Sequence, residues 1–469
     1  MTITITGDGY DGGAGGTLSA GTSGPADGVY DGTATINGGV YTGASAWNRF
    51  RIGTFSDGEL TINGGAVVET NDGAGYSYQS VLAGQYAGSL GIINVDGAGT
   101  RLYTTGEPGG IRIGKQGTGI LNTTNGASVE TFYLDIARFG TGTVNIDGAG
   151  SQLILDDSHG AWQPAYAGQA AFGRIGKESG SHGYLNITSG GLLSISNTDG
   201  VTDTPGFQIA RNDGSYGKAI IDGQGSELRI RQTGPQGDSY TGGSFLQIGR
   251  NGQGILEARN NAQVNITGDY AHVAVSSAYT GDSVVDPASE LRILSGADMT
   301  IDSGAYIGGF LNIAANPNSQ ANVLVSGAGS TLTLNGHYSF VRAGGEDGTG
   351  TLTVTQAGQI DITGSGANLN IGAGDGSGAT NAQNKAIISA GGIINITSAS
   401  NSSGAFANLG RNSDGNGYML ITGAGSQVNI SSDNLPGTPS NQSAFFNVGR
   451  SGQGQLDVKA GGQLTITGG

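Results

Sequence analysis

The sequence predicts an all-β fold, a single-stranded right-handed parallel β-helix of about 14 coils, each with three short strands. Three observations carry that expectation. First, an aliphatic residue followed by Gly or Ala, often with Lys or Arg next, recurs along the chain, as in Ile113-Gly114-Lys115, Ile136-Ala137-Arg138 and Ile175-Gly176-Lys177. Second, strands of alternating aliphatic and polar residues follow these anchors, such as Val144-Asn145-Ile146 and Leu185-Asn186-Ile187. Third, glycine accounts for 92 of 469 residues against 9 prolines, which marks frequent tight turns and not a collagen-like or Pro-rich chain.

The anchors fall at Ile52-Gly53, Leu82-Ala83, Ile113-Gly114, Ile136-Ala137, Ile175-Gly176, Ile209-Ala210 and Ile248-Gly249. They continue at Ile313-Ala314, Ile371-Gly372, Leu409-Gly410 and Val448-Gly449, with weaker copies near Val273-Ala274 and Val341 to Ala343. The shortest interval, Gly114 to Ala137, is 23 residues. It accommodates three strands of about five residues and three turns, which is one coil. A left-handed hexapeptide helix would need a six-residue period that the chain lacks, and the crossover rule favours the right hand. In each strand the aliphatic residues point to the core and the Asn or Thr between them points out. The second turn nearly alternates between a short form, Asn125-Gly126-Ala127, and a long form, Asp147-Gly148-Ala149-Gly150-Ser151, so the repeating unit reads as a pair of coils. The domain expectation is one continuous solenoid over 1–469, with divergent coils in 1–46 and regular ones in 47–469. At roughly 4.8 Å per rung that makes a rod on the order of 65–70 Å long. No helical period appears.

Net charge is −16 and the pI is near 4.5. That balance argues against nucleic acid and anionic membrane surfaces as partners. A hydrophobic fraction of 36% with 12% charged residues is too apolar for a disordered tract. The chain has no cysteine, hence no disulfide or thiolate metal site, and no apolar run long enough to insert in a membrane. Met1 is followed at once by Thr2-Ile3-Thr4-Ile5-Thr6, which reads as a start placed on an excised or processed segment. The chain opens and closes on strands in mid-pattern, so the expected structural partners are flanking coils or another copy end to end.

Two groups of residues are candidates for binding. Insertions gather at one corner, before the anchor strand, at 41–49, 71–80, Asp156 to Ala171, Asn197 to Gly206, Gln232 to Ser244, Ser398 to Ala405 and Ser431 to Ala444. They carry Trp47, Tyr76, Tyr78, Trp162, Tyr166 and Tyr240, and insertions at a constant phase build one edge able to hold a ligand such as cell-surface carbohydrate. The plainer reading is tolerated loop length, with the rings folded back over the coil. A basic ladder follows the anchors at Lys115, Arg138, Lys177, Arg211, Arg250, Arg411 and Arg450. It reads either as a track for an anionic polysaccharide or, more simply, as long side chains covering a corner and bonding to turn carbonyls and acids.

No catalytic set and no metal site is expected. The acidic turns Asp8-Gly9, Asp72-Gly73, Asp347-Gly348 and Asp375-Gly376 suggest calcium, but the nine-residue calcium period is missing and they read as ordinary turns. The histidines His159, His182, His272 and His337 lack metal-ligand spacing and are expected at the surface. Asp156-Asp157, Ser181-His182-Gly183, Arg174 to Lys177 and Asn197-Thr198-Asp199 faintly echo polygalacturonases, but their order is scrambled and the motifs are interrupted.

The phrase of Ile-Gly-Arg, Gly-x-Gly, a strand, Gly-Gly and then Asp-Gly-Ala-Gly-Ser resembles the type V secretion and PEP-CTERM-associated repeat of autotransporter passengers, over about residues 50 to 469. The resemblance implies a right-handed β-helix exported to a bacterial cell surface, and no catalytic motif. The function it implies is an extracellular structural or adhesive rod that presents loops along one edge. The alternatives are a head-to-tail filament subunit and a polysaccharide-binding or polysaccharide-degrading β-helix.

Overall fold

The computed structural model describes residues 2–6, 27–30, 32–42, 49–71, 80–105, 109–156, 170–197, 204–232, 243–277, 287–345, 347–374, 383–398, 403–432 and 443–468. All regular structure among them is β-strand. The chain forms two compact units, Met1–Thr241 and Gly242–Gly469.

In the first unit a coil runs from a short anchor strand through a longer strand to a third strand, as in Gly110–Ile113, Thr118–Thr124 and Ser128–Thr131. The next coil repeats the pattern at Tyr133–Ile136, Thr141–Asp147 and Gln152–Asp156. Equivalent strands pair in parallel without slippage, from Thr118 on Thr141 to Thr124 on Asp147. Seven such coils, from Asp27–Tyr30 to Glu227–Gln232, give three parallel sheets, which is a parallel β-helix. The opening strand departs from the coil pattern expected of it. Thr2–Thr6 lies antiparallel on Thr33–Asn37 and so covers the free edge of the first long strand.

Register corrects two anchors. Ala83 pairs with both Ile52 and Ile113, so the second anchor is Ala83-Gly84, and Leu82 points to the opposite face. In the second unit Val275 pairs with Ile248 and Ile313, which makes Val275-Ser276 the anchor in place of Val273-Ala274. Both Val273 and Val275 are buried, and a two-residue slip preserves the inward face, so alternation alone does not distinguish them.

Stacking builds the core. Leu60, Ile93, Leu121, Val144 and Leu185 succeed one another down the long-strand sheet, all fully buried. Between them the outward asparagines form a second ladder. Asn186 donates to Asn145 (2.9 Å), Asn145 to Asn122 (2.8 Å), Asn122 to Asn94 (2.8 Å), and Asn94 ends the chain on Glu59 (2.8 Å). The glycine of the anchor is imposed by the next coil. Gly114 has φ 77°, and a Cβ there would sit 2.1 Å from the Thr141 carbonyl oxygen.

The two turn types are mechanically linked. From the second coil of the first unit onward they alternate coil by coil, and the Ser or Thr closing each long turn accepts the N–H of the short turn beside it. Gly65 donates to Thr100 (3.1 Å), Gly126 to Ser151 (2.9 Å) and Gly190 to Ser226 (3.0 Å). Ser151 and Ser226 donate in turn to the carbonyls of Asp147 and Asp222, both at 2.7 Å. A coil pair is therefore the repeating unit of the first unit from Arg49 to Gln232.

The second unit also has seven coils, from Phe245–Ile248 to Gln463–Thr467, again in three parallel sheets. Here the long turns are rarer, at Ser326 to Ser330 and Thr422 to Ser426, each again taking a neighbouring glycine N–H, from Gly296 (2.9 Å) and Gly391 (3.1 Å). Its insertions are not confined to the expected corner. Two long connections, between Val275 and Ser289 and between Ile371 and Asn384, follow the anchor strand instead of preceding it. In its final coil Val448, Val458 and Ile466 are 48%, 44% and 44% exposed, whereas their partners Leu409, Ile421 and Ile430 one coil earlier are buried. Burial here comes from the neighbouring coil, as solenoid stacking requires.

Ser226→Ala leaves the Gly190 N–H without its acceptor and should cost about 1–3 kcal/mol, with Ser226→Thr nearly neutral, since Thr100 already fills the same role. Urea denaturation of the three proteins measures this.

Candidate functional site

The outer face of the anchor sheet differs between the units, and the difference produces a site. Each anchor strand has four positions, of which the first and third point outward. In the second unit the first position holds Phe245, His272, Phe310, Phe340, Asn368, Phe406 and Phe445 in successive coils. Because the register is fixed, rings of adjacent coils stack: Phe310 on Phe340 at 4.3 Å with 20° between planes, and Phe406 on Phe445 at 5.0 Å with 3°. Asn368 interrupts the row. It is buried and tied down, donating from Nδ2 to the Gly366 carbonyl (2.9 Å) and accepting from Asn370 (2.5 Å).

A cleft of about 340 Å³ opens over that missing ring. Its walls include Phe340 and Phe406, its floor Asn368 and Asn370, and its cations Arg342 and Arg411. No carboxylate is among the described residues that line it. The third outward position continues as an amide ladder, Asn447 to Asn408 (2.9 Å) and Asn408 to Asn370 (2.8 Å). Arg342 is steadied by Asn312, to which its Nε donates (2.9 Å), and lies over the Phe340 ring (5.5 Å to the centroid). Tyr338 reaches over Gly366, where a Cβ would meet its ring at 2.6 Å.

In the first unit the same face is filled by charge. The third outward position runs Arg51, Leu82, Arg112, Asp135, Arg174 and Gln208. Arg112 and Asp135 form a buried ion pair at 3.2 Å, with side chains 3% and 1% exposed. Burial pushes the Arg112 pKa down, partly opposed by Asp135, and burial beside Asp135 raises the Tyr133 hydroxyl far above its usual value. Arg174 covers the stacked pair Tyr133 and Phe172.

The basic ladder divides accordingly. Lys115, Arg138, Lys177 and Arg211 occupy four successive corners of the first unit, and their N–H groups donate to Gly84, Gly114, Ala137 and Gly176 of the preceding coil. Lys177 and Arg138 share Glu178, at 3.1 and 4.0 Å. Burial, then the guanidinium groups of Arg112, Arg138 and Arg51, lower the Lys115 pKa. In the second unit the row is broken. Between Arg250 and Arg411 the corners hold Ser277, Ala315, Gly345 and Ala373, so Arg250, Arg411 and Arg450 make no continuous stripe. Arg411 lines the cleft.

Trp47, Tyr76, Tyr78, Trp162, Tyr166 and Tyr240 lie outside the described residues, as do His159 and the turns at Asp8, Asp72 and Asp375. Among the described residues no three His, Asp or Glu side chains gather as metal ligands. His272, expected at the surface, is half-buried against Phe245 (5.8 Å) and Tyr270 (5.6 Å) as a member of the aromatic row. The signal for the cleft is legible in retrospect: an aromatic three residues before the anchor, as in Phe310-Leu311-Asn312-Ile313, missing at Asn368.

No family model matches the chain. It is 24% identical over 382 residues to an uncharacterized lipoprotein, YdeK, of Escherichia coli (strain K12), a match covering 68% of this chain and 28% of the relative. The chain thus spans well under a third of that protein's length. Compared with solved structures, it aligns with the crystal structure of a TibC-catalyzed hyper-glycosylated TibA fragment, residues 55–350. That alignment covers 94% of this chain and 99% of the fragment, at 12% identity and a TM-score of 0.20.

Asp135→Ala strands Arg112 in a buried site and should destabilise the first unit by about 3–5 kcal/mol in chemical denaturation. A pH effect is expected at His272. Burial lowers its pKa, offset in part by the Nδ1–H bond to the Tyr270 carbonyl (3.4 Å). The folded protein then favours the neutral ring, so the contribution is present above the unfolded value near 6.5 and is lost as pH falls below it. His272→Phe should flatten the melting temperature of the second unit against pH in that window, which scanning calorimetry from neutral to mildly acidic pH would show.

Proposed function

We propose that the chain is a non-catalytic carbohydrate-binding scaffold of the bacterial envelope, a β-helical segment of a larger adhesive surface or secreted protein. One observation carries the binding role: the cleft over Asn368, where aromatic faces, amides and guanidinium groups converge on otherwise regular coils. Aromatic faces with amide and guanidinium donors suit the apolar faces and hydroxyl rims of sugar rings. The envelope location draws support from the relative described as a lipoprotein, and from the resemblance of the repeat to autotransporter passengers. A non-catalytic role agrees with the way outward carboxylates are spent on structure. Glu130 is clasped by Arg101 (Nε to Oε1, 2.6 Å), Glu69 accepts from Tyr103 (3.1 Å) and Thr105 (2.6 Å), and Asp135 holds Arg112.

Two measurements test this reading. Purified chain passed over immobilised glycans should be retained without producing new reducing or unsaturated ends, and protease treatment of intact producing cells should degrade the native protein. Failure to be retained on any glycan, release of new ends, or full protection in intact cells would overturn it.

A further inference from the structure

The cleft of the second unit owes its shape to a skipped rung. Phe340 and Phe406 occupy the same position two coils apart, with Asn368 between them. At about 4.8 Å per rung their rings stand roughly 9.6 Å apart along the coil axis. Each is stacked by the ring on its far side, Phe340 by Phe310 and Phe406 by Phe445, and both line the cleft between them. Two van der Waals contacts to a ring seated between them take up most of that span, which leaves the thickness of a single saturated six-membered ring.

The polar lining narrows the occupant further. Asn368 and Asn370 form the floor, and Arg342 and Arg411 flank it. Arg342 is oriented by Asn312 and its own Phe340 ring. Arg411 is half-buried and makes no ion pair among the described residues. In a chain of net charge −16, a cleft with two guanidinium groups and no described carboxylate in its lining is a local reversal of sign. A guanidinium pairs with a carboxylate in a planar, bidentate fork that a neutral hydroxyl does not match.

We propose that this slot binds one uronic acid residue of an acidic glycan, its ring inserted between Phe340 and Phe406 and its carboxylate held by Arg411 and Arg342. This deepens the carbohydrate-binding reading by naming the sugar class and the position.

The test uses the methyl glycosides of glucuronic and galacturonic acid, each paired with its neutral hexose counterpart, and reads binding to the full chain by calorimetry and saturation-transfer NMR. At least one acid should bind more tightly than its neutral partner. Arg411→Gln should weaken the acid about tenfold and the neutral sugar by much less, with the melting temperature unchanged. Asn368→Phe extends the aromatic row through the gap and should abolish binding of both. Should that variant fold poorly, Phe406→Ala removes one wall and should weaken acid and neutral sugar alike. Absence of binding by both acids, an affinity of neither acid above that of its neutral partner, or full binding in both Arg411→Gln and Phe406→Ala would overturn the proposal. Retention of the chain on immobilised neutral glycans together with any of these results would defeat the uronate assignment and leave the broader binding role standing.

Discussion

In-register parallel stacking, one rung per coil, is the constraint on which the rest of this structure depends. Each side chain meets the same position of the coil before and the coil after, so its neighbours are fixed by its phase in the repeat and not by a globular surround. Inside, that condition is met by aliphatic residues, which pack on copies of themselves without penalty, as Leu121, Val144 and Leu185 do. At the corners it is met by glycine wherever the next coil's carbonyl comes too close for a Cβ, as at Gly114 against Thr141.

Outside, the same constraint selects among polar residues. An amide carries both donor and acceptor and can therefore stack on itself indefinitely, which explains the ladder Asn94, Asn122, Asn145 and Asn186 and its counterpart Asn370, Asn408 and Asn447. A charge stacked on a copy of itself is repelled unless an opposite charge is shared, as Glu178 is by Lys177 and Arg138. The charged row of the first unit instead places Asp135 between Arg112 and Arg174, alternating sign along the rungs. The linked turns follow related logic, since a short turn leaves a glycine N–H that the serine of an adjacent long turn accepts.

A cleft on such a scaffold opens where a row is broken. The aromatic row of the second unit is continuous from Phe310 to Phe340 and again from Phe406 to Phe445, and the cleft is the one coil between, where Asn368 replaces a ring. The first unit has no such gap in its stacked pair Tyr133 and Phe172, which Arg174 covers. The cleft thus follows from a departure from the repeat, while stability follows from the repeat itself.

Periodicity and residue type were enough to determine the coil, its three strands, the inward aliphatic rows and the two turn types, because those depend on local alternation and on glycine's freedom at tight corners. They could not settle register where alternation is ambiguous. Leu82 and Ala83 both fit the phrase, and Val273, followed by Ala274, fits it better than Val275, followed by Ser276, yet pairing with the neighbouring coils chooses Ala83 and Val275. The antiparallel seat of Thr2–Thr6 was likewise invisible, since an alternating strand reads the same in either direction. The basic ladder was visible as a pattern, yet its partners were not. Whether an arginine such as Arg411 lines a cleft or a lysine such as Lys177 meets a glutamate depends on which residues the adjacent coils bring alongside, and only the stacked structure supplies them.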